Sequence, residues 1–283
     1  MVPKALLLHW ATFRWAVWLG WTVESNWTRP PLFVLYSVLR PLASALVIVV
    51  LVAVASNSPT PTTLLTFSYI GHALFVLAGS IVQGVGQVVL DDREHWHTLK
   101  AIAMAPATPY AYLAGRGVAR AAIALCSLVV VLAFGAMALR LPLAVDPPAM
   151  AFLLAALPLG LLSCVAVGVA VAGCSLWIAR HSWSLPEAVS GVLYLLSGAL
   201  APVEMLPAPL GTLALALPTT YWIEIVRRAV YPSTVGLADL ATADLLLRLA
   251  ATTAVALVSA HIAFSASVRV AQERGLLERT TGS

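Results

Sequence analysis

Asp91, Asp92, Glu94, His95 and His97 crowd carboxylates and imidazoles into the stretch DDREHWHTLK, residues 91–100. Three chemistries use such a cluster: a metal site, acid–base catalysis, or polar docking to another protein. On a helix His95 and His97 lie about 200° apart and cannot share one ion. Asp91 with His95, or Glu94 with His97, supplies only two ligands where a zinc site needs three or four, so no metal site is expected. No G-x-S-x-G elbow, H-E-x-x-H pair or G-x-G-x-x-G fingerprint with its following acidic residue accompanies the cluster, and no catalytic residue is assigned. Nor can the chain hydrolyse nucleotide with a P-loop of its own. That loop needs Gly-Lys-Ser/Thr, whereas the two lysines, Lys4 and Lys100, precede Ala5 and Ala101. Docking is the chemistry that fits. A short amphipathic helix with Arg93 and Glu94 as polar contacts, and with Trp96, Leu99 and Ile102 on another side, can seat in a partner's groove.

The elements that must position this segment are membrane helices. Hydrophobic residues make up 61% of the 283 and charged residues 10%, with a mean hydropathy of +0.93. A soluble domain carries about a quarter charged residues. Six apolar runs reach or approach the roughly 20 residues needed to span a bilayer. They cover residues 32–55, 63–90, 112–138, 149–178, 185–202 and 244–268. The reading is an all-α integral membrane protein, one domain over residues 1–283, with no soluble domain. The short apolar run after Lys4 is interrupted by His9 and Arg14 and is expected to be retained rather than cleaved. Twelve of the sixteen Lys and Arg residues fall on one side of this topology. By the positive-inside rule both termini and the 91–100 segment face the cytoplasm of a cell-membrane protein. The net charge of +4 then fits anionic inner-leaflet lipid and calls for no nucleic-acid partner.

Five of the nine tryptophans lie in residues 1–29, among His9, Arg14 and Glu24, which predicts a helix lying in the membrane interface over residues 1–31 and ended by Pro30 and Pro31. Residues 56–62 read as an outer loop, and residues 180–184 as an inner turn. Ser68, His72, Gly79, Gln83 and Gln87 share one face of the second span. Polar groups there avoid lipid and mark either a translocation path or cross-helix packing. Gly160, Cys164, Gly168 and Ala172 recur every four residues in the fourth span, a stripe that admits another helix closely. Cys126, Cys164 and Cys174 all fall within spans and read as packing residues. Between residues 197 and 232 the prolines at 202, 207, 209, 218 and 232 predict broken half-helices, which membrane depth tolerates only when protein or a cavity satisfies their backbone. They are expected to form a re-entrant outer element over 203–230, ahead of the last span and a cytoplasmic tail at 269–283.

The order of these features resembles the type-2 ABC transporter permeases, six-span exporters of drugs, polysaccharides and other lipophilic cargo. Their acidic-Arg-Glu, Thr-Leu and Pro hallmark between spans two and three is matched by Asp92, Arg93, Glu94, Thr98, Leu99 and Pro106, followed by Pro109, Tyr112, Leu113, Gly115 and Arg116. Their second hallmark is matched by Ser197, Gly198, Pro202, Leu206, Pro207, Pro218, Thr219, Glu224 and Arg227 or Arg228. One departure stands out: the family often places Gly before Thr-Leu, where this chain has His97. The resemblance implies a coupling helix within 91–106, spans two and three carrying it between them. Asp91, Asp92, Arg93, Glu94, Trp96, Thr98, Leu99 and Pro106 would contact a separate ATPase subunit that holds ATP and Mg, with no cofactor on this chain. It further implies a second permease subunit, identical or related, and an outer gate built from Pro202, Glu204, Pro207, Pro218, Glu224, Arg227 and Arg228. His72, Gln83, Gln87 and Ser197 are the candidate path for cargo. A channel or ion-coupled carrier that uses His72, Gln83, Gln87 and His261 as a relay is the alternative from another class, and a scaffold or intramembrane enzyme a third.

Overall fold

The computed structural model describes residues 4–26, 29–56, 63–105, 108–144, 147–177, 184–231 and 236–275. Among these residues there is no strand. Helix α1 (Lys4–Ser25) is followed by α2 (Pro30–Ser56), α3 (Thr63–Leu90), a π-helical turn (Asp91–His95), α4 (Leu99–Met104), α5 (Pro109–Met137) and α6 (Pro147–Trp177). Then come α7 (Ser184–Leu196), a 3₁₀ turn (Val203–Met205), α8 (Ala208–Ala216), α9 (Pro218–Val230) and α10 (Thr242–Glu273). The expected loop at 57–62, the turn at 180–183, Pro106 and the end of the tail lie outside the described residues.

Helix α3 is the axis of the bundle. Its most apolar window is 78% buried, against 17% for α2, because α2, α5, α6, α7 and α9 all pack on it. Helix α10 closes the far side against α6 and α9, and α1 packs on α5. The small-residue stripe of α6 is what permits this density. A Cβ at Gly160 would enter the Trp222 ring of α9, and one at Gly168 would come within 2.6 Å of Val85 on α3. Trp222 is buried and so fills the space that Gly160 leaves. Close backbone approach through small side chains is how membrane helices gain packing where lipid offers no hydrophobic drive.

Among the described residues five helices are long and apolar enough to cross a membrane, one fewer than the six expected runs. The run expected to span at 185–202 is helical only as far as Leu196. Thirteen residues rise about 20 Å, short of a hydrocarbon core of about 30 Å. The chain turns at Gly198, whose φ of +68° is a conformation that glycine adopts without steric cost. Pro30 and Pro31 form the first turn of α2, where a missing N–H costs no helical hydrogen bond. The prolines after α7 act in the same way. Pro207 caps α8 and Pro218 starts α9, leaving two half-helices of nine and thirteen residues.

Candidate functional site

Helix α3 runs between two charged constructions, one at each end. At the end that carries α4, the helix widens into a π turn, with the Trp96 amide donating to the Asp91 carbonyl at 2.9 Å. Such widened turns recur at functional sites. The Thr98 amide then reaches back to the Asp92 carbonyl at 2.8 Å, which requires a sharp reversal at His97. The φ of His97 is +51°, in the left-handed region that favours glycine. The departure from the family pattern therefore falls on the residue whose backbone a glycine would suit.

This reversal turns the charges inward. Asp92 and Arg93 are 3% and 4% exposed, not the solvent-facing docking contacts expected of a simple helix. Asp92 accepts from Tyr112 at 3.2 Å on α5 and from Thr98 at 3.4 Å. Arg93 donates from Nη1 to the Ser175 carbonyl at 3.2 Å on α6 and from Nε to Glu94 at 2.7 Å. Leu99 packs against the main core. What remains outside is His95, Trp96, His97, Thr98, Lys100 and Met104, with Trp96 53% exposed. Charged groups thus clamp the segment to α3, α5 and α6 and leave an aromatic and basic surface beyond them.

At the opposite end, Glu224, Arg227 and Arg228 form a knot at the heart of α9. Arg227 donates to Glu224 at 2.7 Å and to the Gly198 carbonyl at 2.7 Å, and its guanidinium lies 3.5 Å over the Phe67 ring of α3. Arg228 reaches Glu224 at 2.9 Å and the carbonyls of Leu240 and Leu237. Glu204, in the 3₁₀ turn after Pro202, accepts the Leu237 amide. A Cβ at Gly71 would strike the Ala199 carbonyl and stand 2.7 Å from Arg227, so a glycine on α3 makes room for the knot. Ser197, expected on a cargo path, is buried beside this knot.

The polar face of α3 is divided between these ends. His72 is held from both sides, by Ser44 of α2 at 3.0 Å and Tyr194 of α7 at 2.9 Å. Gln83 and Gln87 instead open into a cleft of about 340 Å³ with Arg40, Gly84, Arg120, Pro186 and Glu187. His261 lies elsewhere again, bonded to Tyr110 at 2.9 Å. Sequence reasoning named the two glutamines but missed Arg40 and Arg120. A signal existed: Arg40 is the last charged residue before residue 91, and Arg120 the last before Arg140. Arg120 pairs with Glu24 of α1 at 2.6 Å. Burial holds the Glu24 carboxyl above its usual range even against Arg120 and Arg116.

Five long apolar helices around a buried axis, with charges gathered at the helix ends, define a multi-pass membrane protein. Residues 12–231 match the ABC-2 type transporter family, and the chain belongs to that family. The family's domain is the transmembrane component of ABC transporters and not their ATPase, so it works in a system with an ATPase partner. A search of curated proteins finds no match.

Proposed function

We propose that the chain is the permease subunit of an exporter driven by separate ATPase subunits, which bind the ATP and Mg. The observation that carries this reading is the clamped segment at 91–104. A partner moving against Trp96, Lys100 and Met104 pushes on a platform tied to α3, α5 and α6, so displacement passes into three helices rather than dissipating in a loop. The segment faces the cytoplasm in this reading, consistent with the clustering of Lys and Arg at that end. The knot around Glu224 and Arg227 closes the outer end, and α8 and α9 form a re-entrant gate. Two permease subunits frame the path, and α1 lies in the interface with Trp10, Trp15, Trp18 and Trp21 exposed.

Affinity purification from the native membrane tests this. It is expected to recover a P-loop ATPase chain whose hydrolysis rises with cargo, and recovery of transport-competent protein without one would overturn the reading. The carrier alternative needs a continuous relay. His72, the glutamine pair and His261 occupy three separate places, and His72 has both ring nitrogens engaged within the bundle.

A further inference from the structure

The cleft beside Gln83 and Gln87 has a composition that speaks to cargo. Its walls are α2, α3, α5 and α7, and among the described residues no aromatic side chain lines it. Arg40 stands on one wall and Arg120 on the other, with both carboxamides between them and Glu187 at the first turn of α7. Two guanidiniums and the Glu187 carboxylate line it, and Glu24 pairs with Arg120 from outside the lining. Arg120 is aimed by design of the chain: its side chain lies across Gly84, where any Cβ would meet its methylenes, and Glu24 fixes its far end. Arg40 has no ion-pair partner among the described residues.

The placement matters as much as the chemistry. Arg40 and Arg120 are each the last charge on their helix before a long uncharged run, so the cleft sits where polar headgroups give way to acyl chains. Beyond Arg40, α2 exposes Val47, Val50, Leu51 and Val54, an apolar strip on which a tail can lie. Charged side chains at such depth are costly and mark a function. A site for an uncharged apolar drug would be walled by aliphatic and aromatic groups, the opposite of this lining.

We propose that the cleft binds the anionic headgroup of an amphiphilic cargo, a phosphate or carboxylate held by Arg40 and Arg120, with Gln83, Gln87 and Glu187 taking adjacent hydroxyl or amine groups. This assignment rests on the permease reading and adds the class of cargo to it. Guanidinium recognises such anions through a planar fork that a lysine lacks.

The test holds the tail constant and varies the head. Saturable binding of radiolabelled dodecyl phosphate, above that of empty nanodiscs, is measured with the chain in nanodiscs of zwitterionic lipid. Dodecyl maltoside and dodecyltrimethylammonium serve as competitors. Dodecyl phosphate is expected to bind saturably, neither competitor to displace it at equal concentration, and Arg40→Gln to weaken it about tenfold, the usual scale for one charged hydrogen bond. Gly84→Ala, which moves Arg120 without removing its charge, is expected to weaken it by a similar factor. Equal displacement by the maltoside or the cation overturns the proposal, as does undiminished binding to Arg40→Gln. Competition by inorganic phosphate with equal affinity would make the site one for a free anion and overturn it too. None of these readouts needs ATP hydrolysis. Loss of the co-purifying ATPase would count against the permease reading alone.

Discussion

The two ends of α3 use the same pair of side chains for opposite purposes. At one end Arg93 and Glu94 share a hydrogen bond at 2.7 Å, and at the other Arg227 and Glu224 do the same at 2.7 Å. Both arginines are buried, and each also binds a backbone carbonyl on another element. Around Arg227 its neighbours on α9, Thr219, Thr220 and Trp222, are buried as well. Around Arg93 the chain reverses and leaves Trp96 and its neighbours outside. An inward pair that seals its surroundings reads as a lock. The same pair under an exposed surface reads as the mounting of a contact. The backbone agrees, because the reversal at the sealed end is made by Gly198 and that at the open end by His97.

The sharpest way to break the comparison is at the sealed end. Arg227→Met leaves Glu224 with Arg228 alone and strips the Gly198 carbonyl of its donor. Removing one partner of a buried pair costs about 3–5 kcal/mol, so the variant is expected to melt well below the parent, or to fail to accumulate. Fluorescence-detected chromatography after graded heating measures this, and an unchanged melting temperature would mean that the knot is not a lock. Arg93→Ala is expected to cost less, about 1.5–3 kcal/mol for a lost charged hydrogen bond, because Glu94 is only partly buried and adjoins exposed His95, whereas Glu224 is buried. Its distinctive consequence is functional. With the mount to α6 released, the co-purified ATPase is expected to stay bound while cargo no longer stimulates it, and the measurement is the ratio of stimulated to basal hydrolysis.

These two arginines also show where the sequence is legible and where it is not. Long apolar runs placed α2, α3, α5 and α6 to within three residues at each end, and α10 to within five, since nothing but a spanning helix accommodates 20 apolar residues in succession. The prolines marked the breaks around α8 and α9 because proline acts locally. The end of α7 was missed. Residues 197–201 are as apolar as the helix before them, and what stops it is a left-handed glycine and the docking of the next turn onto α3 through Ser68 and the Leu200 carbonyl at 2.6 Å. The direction of Arg93 was missed for a similar reason. Charge alone says solvent, and only the partners at Ser175 and Tyr112, far along the chain, turn the segment inward. Arg40 and Arg120 looked like flanking charges because the cleft that unites them with Gln83 and Gln87 is made by four helices at once.

On the exposed surface a smaller effect is expected, and in a different observable. Trp96→Ala removes a side chain that touches little within the bundle, so the melting temperature is expected to hold within experimental scatter. Affinity for the ATPase subunit is expected to fall about tenfold, the loss of an aromatic anchor at an interface. Titrating the ATPase onto immobilised permease measures it. A drop in melting temperature without a change in affinity would reassign Trp96 from contact to fold, and with it the contrast between the two ends.

His97→Gly probes the smallest term, the backbone under that surface. A non-glycine residue in the left-handed region pays about 1–2 kcal/mol, of which histidine, one of the residues more often found there, pays the lower part. Glycine removes that strain but adds about 0.5–1 kcal/mol of entropy lost on folding. The two nearly cancel, so His97→Gly is expected to move stability by less than about 0.5 kcal/mol. His97→Val brings a branched Cβ to the same φ and gains nothing in return, so it is expected to lower the melting temperature where glycine does not. The order glycine, histidine, valine in thermal stability would show that the left-handed turn is what sets Trp96 outward and Arg93 inward. If valine is tolerated as well as glycine, the turn is not held in solution, and the surface it presents is not fixed by the clamp beneath it.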